Sequence, residues 1–221
     1  MVISVSVDIR NELKLLYPRA AFGCLVSKDV PNRKGNDELE EMKRELEEEI
    51  REEYPEMDED QLIRSYDTYY KKWGKTYPIE FQIKTIKSGG RFPRVSALVD
   101  SMFLSELRNR ILTSGHDLDR LHGELWYDLS DEGESYMKLN GKEQELPRSD
   151  IVLRDSEGIL ASVLYGPARR TSIGNDTVNA LYLAWCPYSP GEEVIEEHLR
   201  DIVSNLEVVY GGIKHEIVML E

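Results

Sequence analysis

A chain of 221 residues is long enough for one sizeable hydrophobic core, and 40% apolar with 32% charged residues is a globular composition with a well-solvated surface. The formal net charge of −14 argues against docking on an anionic membrane and against a basic nucleic-acid footprint spread over the whole chain. No apolar run approaches the ~20 residues that cross a bilayer, and the start, MVISVSVDIRNEL, lacks the basic-then-apolar pattern of a secretory leader, so a cytoplasmic protein is expected.

Residues 2–7 are rich in β-branched side chains and read as extended. Asp8 is placed to cap a short helix over 9–17, which Tyr17-Pro18 ends, because the residue before proline is pushed out of the α region. Residues 21–27 (AFGCLVS) have the length of a buried strand, and 31–35 read as a loop. Residues 37–54 are almost entirely helix formers. Leu39, Met42, Leu46 and Ile50 make a narrow apolar stripe, with Glu40 and Arg44, and Glu47 and Arg51, as i,i+4 pairs. The charge run is read as a solvated helix face. Asp58 or Asp60 caps a second helix that runs through Lys72 and ends at Gly74.

Beyond Pro78 a helix over 79–86 leads into a basic stretch, Lys84, Lys87, Arg91 and Arg94, interrupted by Gly89-Gly90. A long helix is predicted over 95–110 with Leu98, Met102, Ser105 and Leu107 inward. Short strands follow at 125–129, 151–154, 159–164 and 180–185, with turn signals at Gly133, Asn140-Gly141 and Glu157-Gly158. A last helix over 192–206 precedes a hairpin of 208–210 with 213–220 across Gly211-Gly212. The pattern is a mixed α+β fold. An N-terminal strand and helix (1–35) and a charged helical segment (36–77) join a core (78–221) in one compact unit.

No GxSxG elbow, P-loop or HExxH is present. Cys24 and Cys186 belong to no CxxC and read as small buried hydrophobes; the four histidines show no ligand spacing, so neither metal nor cofactor is expected. The segment 114–123 gathers polar groups. His116 beside Asp117 is either a base held by a carboxylate or a surface residue next to a turn cap. Glu134 is either a site carboxylate or a turn carboxylate. Thr177 and Asn179 either orient a ligand or satisfy backbone at a strand entry.

From Phe92 to Pro187 the chain resembles the B3/B4-type tRNA-binding and editing domain of the phenylalanyl-tRNA synthetase beta subunit. The resemblance is carried by Pro93 with Val95, Leu98-Val99-Asp100, the D-x-D-[KR]-L pattern at Asp117 to Leu121 followed by Gly123, Gly133-Glu134 with Leu139-Asn140-Gly141, Val152 to Asp155, and Thr177 with Asn179. It implies layered central sheets with flanking helices. It also implies a pocket that fixes a water against an aminoacyl ester, with no covalent nucleophile. The expected site is His116, Glu134, Thr177 and Asn179 as catalytic groups, with Ser114, Gly115, Asp117 and Gly166 around the substrate. Lys84, Lys87, Arg91, Arg94, Arg169 and Arg170 would meet the phosphates of an aminoacylated tRNA. The chain departs from the family pattern at Ser114, where the relative has His, at Leu183, where it has the Glu that reads a tyrosine hydroxyl, and at Phe103 in place of an Asn. Tyrosine is therefore not implied as the amino acid. Three roles remain open: a trans-acting deacylase for mischarged tRNA, a non-catalytic RNA- or protein-binding module, and a small-molecule amino-acid binder.

Overall fold

The computed structural model describes residues 5–52, 60–188 and 190–220. In chain order the elements are β1 (Val7–Ile9), α1 (Asn11–Leu16), β2 (Ala21–Lys28), α2 (Asp37–Glu52), α3 (Gln61–Tyr70), α4 (Pro78–Lys87) and α5 (Ala97–Asn109). There follow β3 (Thr113–Asp117), β4 (Leu125–Leu129), β5 (Ser135–Met137), β6 (Glu143–Glu145), β7 (Ile151–Asp155), β8 (Gly158–Ser162) and β9 (Gly166–Pro167). The chain closes with β10 (Ala180–Cys186), α6 (Glu192–Tyr210) and β11 (Lys214–Leu220).

The strands form a five-stranded sheet, β1-β4-β7-β8-β9, a four-stranded sheet, β11-β2-β10-β3, and the β5-β6 hairpin. Among the described residues only β1 pairs in parallel, with β4; the other strand pairs are antiparallel. The architecture is the mixed α+β fold that the sequence implies. One cluster of buried side chains runs from Val7 to Val209 and takes in Leu39, Leu46 and Ile50 of α2 and Ile63, Tyr66, Tyr69 and Tyr70 of α3. The α3 tyrosines bury their rings while their hydroxyls close backbone hydrogen bonds, as large amphipathic side chains do inside cores. Tyr70 OH donates to Val163 O at 2.5 Å, and Tyr69 OH accepts from Ile151 N at 2.7 Å. Tyr66 stacks on Tyr77, with ring centroids 4.2 Å apart.

Several local expectations change. Asp8 caps nothing: it lies within β1, opposite Trp126, and α1 begins after Arg10. Residues 2–4, 53–54 and Asp58 lie outside the described residues, and Asp60 is the cap of α3, accepting from Leu62 N and Ile63 N. Helix α5 begins at Ala97 rather than 95, because Val95 N is drawn to Asp100 Oδ1 (3.0 Å) and Ala97 N to Arg33 O (2.7 Å). Residues 208–210 are the last turn of α6, not a strand. Val209 continues the buried face of Ile202 and Leu206, and Gly211 ends the helix at φ 75°. Strand β11 therefore pairs with β2 instead of folding back as a hairpin. The charged face of α2 is not wholly solvated, since Lys43 and Glu47 are buried. Both cysteines are buried and free; burial pushes the Cys24 thiol up to about 11 and the Cys186 thiol up to about 12.

Candidate binding cavity

Helix α5 presents Val99, Met102, Phe103 and Glu106, spaced as one helical face, to a cavity of about 610 Å³. Thr113, Ser114 and Gly115 of β3 and residues 162–167 make the facing walls. Pro78 and Gln82 of α4, Trp185 of β10, Ser172 and Ile173 complete the lining. Lys138 and Leu139, at the tip of the β5-β6 hairpin, stand at the mouth with Val95. The size is that of a small-molecule site and the lining is mostly apolar.

Glycine shapes two of the walls. A Cβ on Gly115 would lie 2.9 Å from Ile173 Cδ1 and 3.2 Å from Met102 Sδ, so its absence lets these two side chains close over the strand. Gly166 turns the chain at φ 83°, and its carbonyl accepts from Tyr136 OH at 2.7 Å, which ties the hairpin to the wall.

The four residues expected to be catalytic do not converge here. His116 is fully buried behind the lining, sharing hydrogen bonds with Thr171 Oγ1 (2.9 Å) and Ser114 Oγ (3.0 Å). Burial, aided by the Arg170 charge, pushes its pKa down to about 3, so the imidazole is neutral. Asp117 does not hold it, because successive strand residues face opposite ways. Asp117 accepts from Thr177 Oγ1 at 2.7 Å and from Asp119 N at 3.0 Å. Thr177 thereby fixes the loop before β10. Asn179 does the same, accepting from Asp29 N and donating to the Asp119 carboxylate. Glu134 is gripped by Arg154 at 2.9 and 2.7 Å; its partial burial works against ionisation, but Arg154 and the Asp131 N–H outweigh this and lower its pKa. Of the expected substrate group, Ser114, Gly115 and Gly166 do line the cavity, and Asp117 does not.

The expected phosphate contacts are also scattered, and several are occupied. Lys84 pairs with Glu80, Arg94 with Glu40 at 2.7 Å, and Arg170 with Asp155 and Glu157. Lys87, Arg91 and Arg169 are exposed. Arg169 lies near Gly141 in the β5-β6 turn. Two cations that sequence reading passed over, Lys75 and Lys138, approach the Tyr165 ring at 5.2 and 5.7 Å, beside the mouth.

The floor holds two further residues that went unread. Glu106, buried in α5, accepts from Thr113 N at 2.7 Å through Oε1. Burial pushes its pKa up to about 8, with that N–H pulling the other way, so the carboxyl is largely neutral at pH 7. Trp185 is 1% exposed, and its Nε1–H has no acceptor among the described residues. No local motif marks either residue; only the spacing of 99, 102, 103 and 106 on one helix face hints at Glu106.

The B3/4 domain family profile matches residues 72–186, just over half of the chain and a span that contains every residue of the cavity lining. The chain belongs to the B3/4 domain family. Over 67 residues the chain is 33% identical to the phenylalanine–tRNA ligase beta subunit of Mycoplasma pneumoniae, which is 30% of this chain and 8% of that one. The chain thus spans a small part of that relative. Its fold is similar to a crystal structure of an N-terminal fragment of the phenylalanyl-tRNA synthetase beta subunit from Pyrococcus horikoshii. That similarity has a TM-score of 0.52 and 15% identity, covering 99% of this chain and 55% of the fragment. Among the described residues, no helix of this B3/4 domain protein is long and apolar enough to cross a membrane, and no three His, Cys, Asp or Glu side chains gather as metal ligands.

Proposed function

We propose that this B3/4 domain protein takes the aminoacylated 3′ end of a tRNA into the α5–β3 cavity and hydrolyses the ester of a mischarged amino acid. The observation that carries the reading is the confinement of the cavity lining to residues 78–185, inside the family match. The aminoacyl side chain enters the apolar slot. Lys75, Lys138 and Arg169 at the mouth receive the phosphates. The chemistry is water attack rather than covalent catalysis. Ser114 lines the slot, but its Oγ is hydrogen-bonded to an imidazole that burial keeps neutral, and that burial opposes the imidazolium a serine nucleophile needs. Ser114 instead holds the water against the ester carbonyl. The test is a panel of mischarged tRNAs incubated with the full chain. Loss of at least one ester well above the uncatalysed rate is expected, and no loss across the panel overturns the proposal.

The net charge of −14 and the carboxylate partners of Lys84, Arg94 and Arg170 favour a second reading, in which a free amino acid binds the same cavity without tRNA. It requires a rise in Tm with millimolar free amino acids and no tRNA present.

A further inference from the structure

Three separate segments bring side chains to one ring at the cavity mouth. Tyr165, half-buried in the wall, donates its backbone N–H to Ser162 Oγ at 3.1 Å, and Ser162 donates in turn to the buried Asp150 carboxyl, so the ring is anchored from behind. Lys75 follows the turn that Gly74 makes at φ 63°, with its backbone N–H on Tyr70 O at 3.1 Å. Lys138 is at the tip of the β5-β6 hairpin and is bridged to Ala168. The two ammonium groups stand 5.2 and 5.7 Å from the Tyr165 ring centre. Neither is paired with a carboxylate among the described residues, although the chain has 42 Asp and Glu side chains. Lys43, Lys71, Lys84 and Lys214 each have such a partner. Two cations drawn to one ring repel each other, and in a chain of net charge −14 it is the missing counter-charge that sets this place apart. An anion carried by the ligand supplies it.

We propose that Lys75, Tyr165 and Lys138 form a seat for one nucleotide unit, in which the lysines take its phosphate and the ring takes its base. The lysines rest on the ring through cation–π contacts, which are weak at exposed positions. A phosphate offers both ammonium groups charge-assisted hydrogen bonds, which are stronger. The ring is then uncovered, and a base stacked on it gains more than the contact it replaces. The two halves of the ligand therefore help each other. A nucleoside alone must displace the lysines without giving them a partner, and a phosphate alone leaves the ring bare. Behind Tyr165 the lining is mostly apolar and Lys138 is its one cation, so the seat also sets the ligand's direction, with the nucleotide at the mouth and the attached acyl group inward. Stacking tolerates every base, so the seat recognises a single-stranded end rather than a sequence. The inference deepens the tRNA reading above and rests on the cavity being the ligand site; it does not require hydrolysis.

The test titrates the full chain by calorimetry at low salt with 5′-AMP, adenosine, inorganic phosphate and leucine. 5′-AMP is expected to bind about 10-fold more tightly than adenosine or phosphate. Lys75→Met and Lys138→Met should each weaken 5′-AMP by about 5-fold and leave adenosine within about 2-fold. Tyr165→Leu should bring 5′-AMP close to the affinity of phosphate, whereas Tyr165→Phe, which keeps the ring, retains the preference. Absent 5′-AMP binding, 5′-AMP no tighter than phosphate or adenosine, or an affinity that neither lysine variant changes overturns the seat. So do lysine variants that weaken leucine and spare 5′-AMP, a result that gives the cations to a carboxylate. The panel of mischarged tRNAs separates the seat from the hydrolysis. The expected 5′-AMP pattern with no ester lost upholds the seat and sinks the hydrolase; ester loss without that pattern sinks the seat alone.

Discussion

Two faces of α5 treat buried polarity in opposite ways. Toward α2, Asp100 accepts from Lys43 Nζ at 2.9 Å and from Val95 N at 3.0 Å, while Glu47 accepts from Phe92 N at 2.6 Å. Each of these buried charged groups has a partner, and together they clamp residues 91–96, the basic stretch that a charge map would nominate as a binding arm. Toward the cavity, Glu106 is half-satisfied and Trp185 Nε1 is unsatisfied. Charge density marks the clamp, whereas the cavity lining is mostly apolar with few charged groups. Stability and ligand uptake should therefore respond to different substitutions.

The largest effect belongs to the clamp. Lys43→Met leaves Asp100 buried with its charge uncompensated and should destabilise the fold by about 3–5 kcal/mol. Trp185→Phe, which removes an unpartnered donor together with three heavy atoms of a buried ring, should cost less, about 1–3 kcal/mol. Urea denaturation of both variants checks the contrast. If the two losses are equal, the distinction between clamp and cavity is lost.

Next in size is the pH dependence. Glu106 and Asp150, raised by burial to about 8 and about 7, keep their protons in the folded chain after the unfolded chain has lost them. Each makes stability fall with rising pH, by up to about 1.4 kcal/mol per pH unit, from the ordinary carboxylate pKa to its folded value. His116 and His198, lowered by burial to about 3 and about 4, act in the opposite sense, because the unfolded rings gain protons below pH 6.5. The two pairs offset one another between about pH 4.5 and 6.5, and above that window only the carboxyls remain, so stability should fall from pH 6.5 to 8. In Glu106→Gln that fall should shrink, since Asp150 alone is left to titrate. An unchanged slope would show that Glu106 is ionised in the folded chain.

Smaller again is Gly115→Leu. The new side chain must displace Ile173 Cδ1 and Met102 Sδ, the far ends of flexible side chains, at about 1–3 kcal/mol. It fills the slot, so binding of an aminoacylated tRNA should be weakened while the protein stays folded by circular dichroism. Retained binding would place the ligand elsewhere.

Much of this fold was legible because its signals are local. The stripe Leu39, Leu46 and Ile50, the Asp60 cap, the Gly74 stop and the inward residues of α5 are all set by nearest neighbours along the chain. Strand β3 was not, for a physical reason. Its sequence, Thr-Ser-Gly-His-Asp, reads as a polar loop, yet all five residues are buried because partners distant in sequence satisfy them: His198 for Thr113, Thr171 for His116, Thr177 for Asp117. The same limit applies to the site. Ser114, Gly115 and Gly166, expected around the substrate, line the cavity. Glu106 and Trp185 carry no pattern of their own and become notable only when the fold leaves their polar atoms without partners.

The smallest effect separates occupied from available cations. Arg94 is held 2.7 Å from Glu40 and brings that carboxylate to any phosphate it meets, so the pair contributes little net charge at the surface. Arg169 stands at the hairpin turn by the mouth, beside the chain that leads to Ser172 and Ile173 of the lining. Each cation that neutralises a phosphate releases condensed counterions, and losing it lowers the slope of log K against log salt by about one. Arg169→Ala should therefore flatten the salt dependence of tRNA binding by about one unit, and Arg94→Ala by markedly less. A filter-binding series from 50 to 200 mM salt, on the order used for such slopes, distinguishes them. If Arg94→Ala gives the larger change, the nucleic acid runs along the clamped stretch instead of the cavity mouth, and the path of the bound strand must be redrawn across α2.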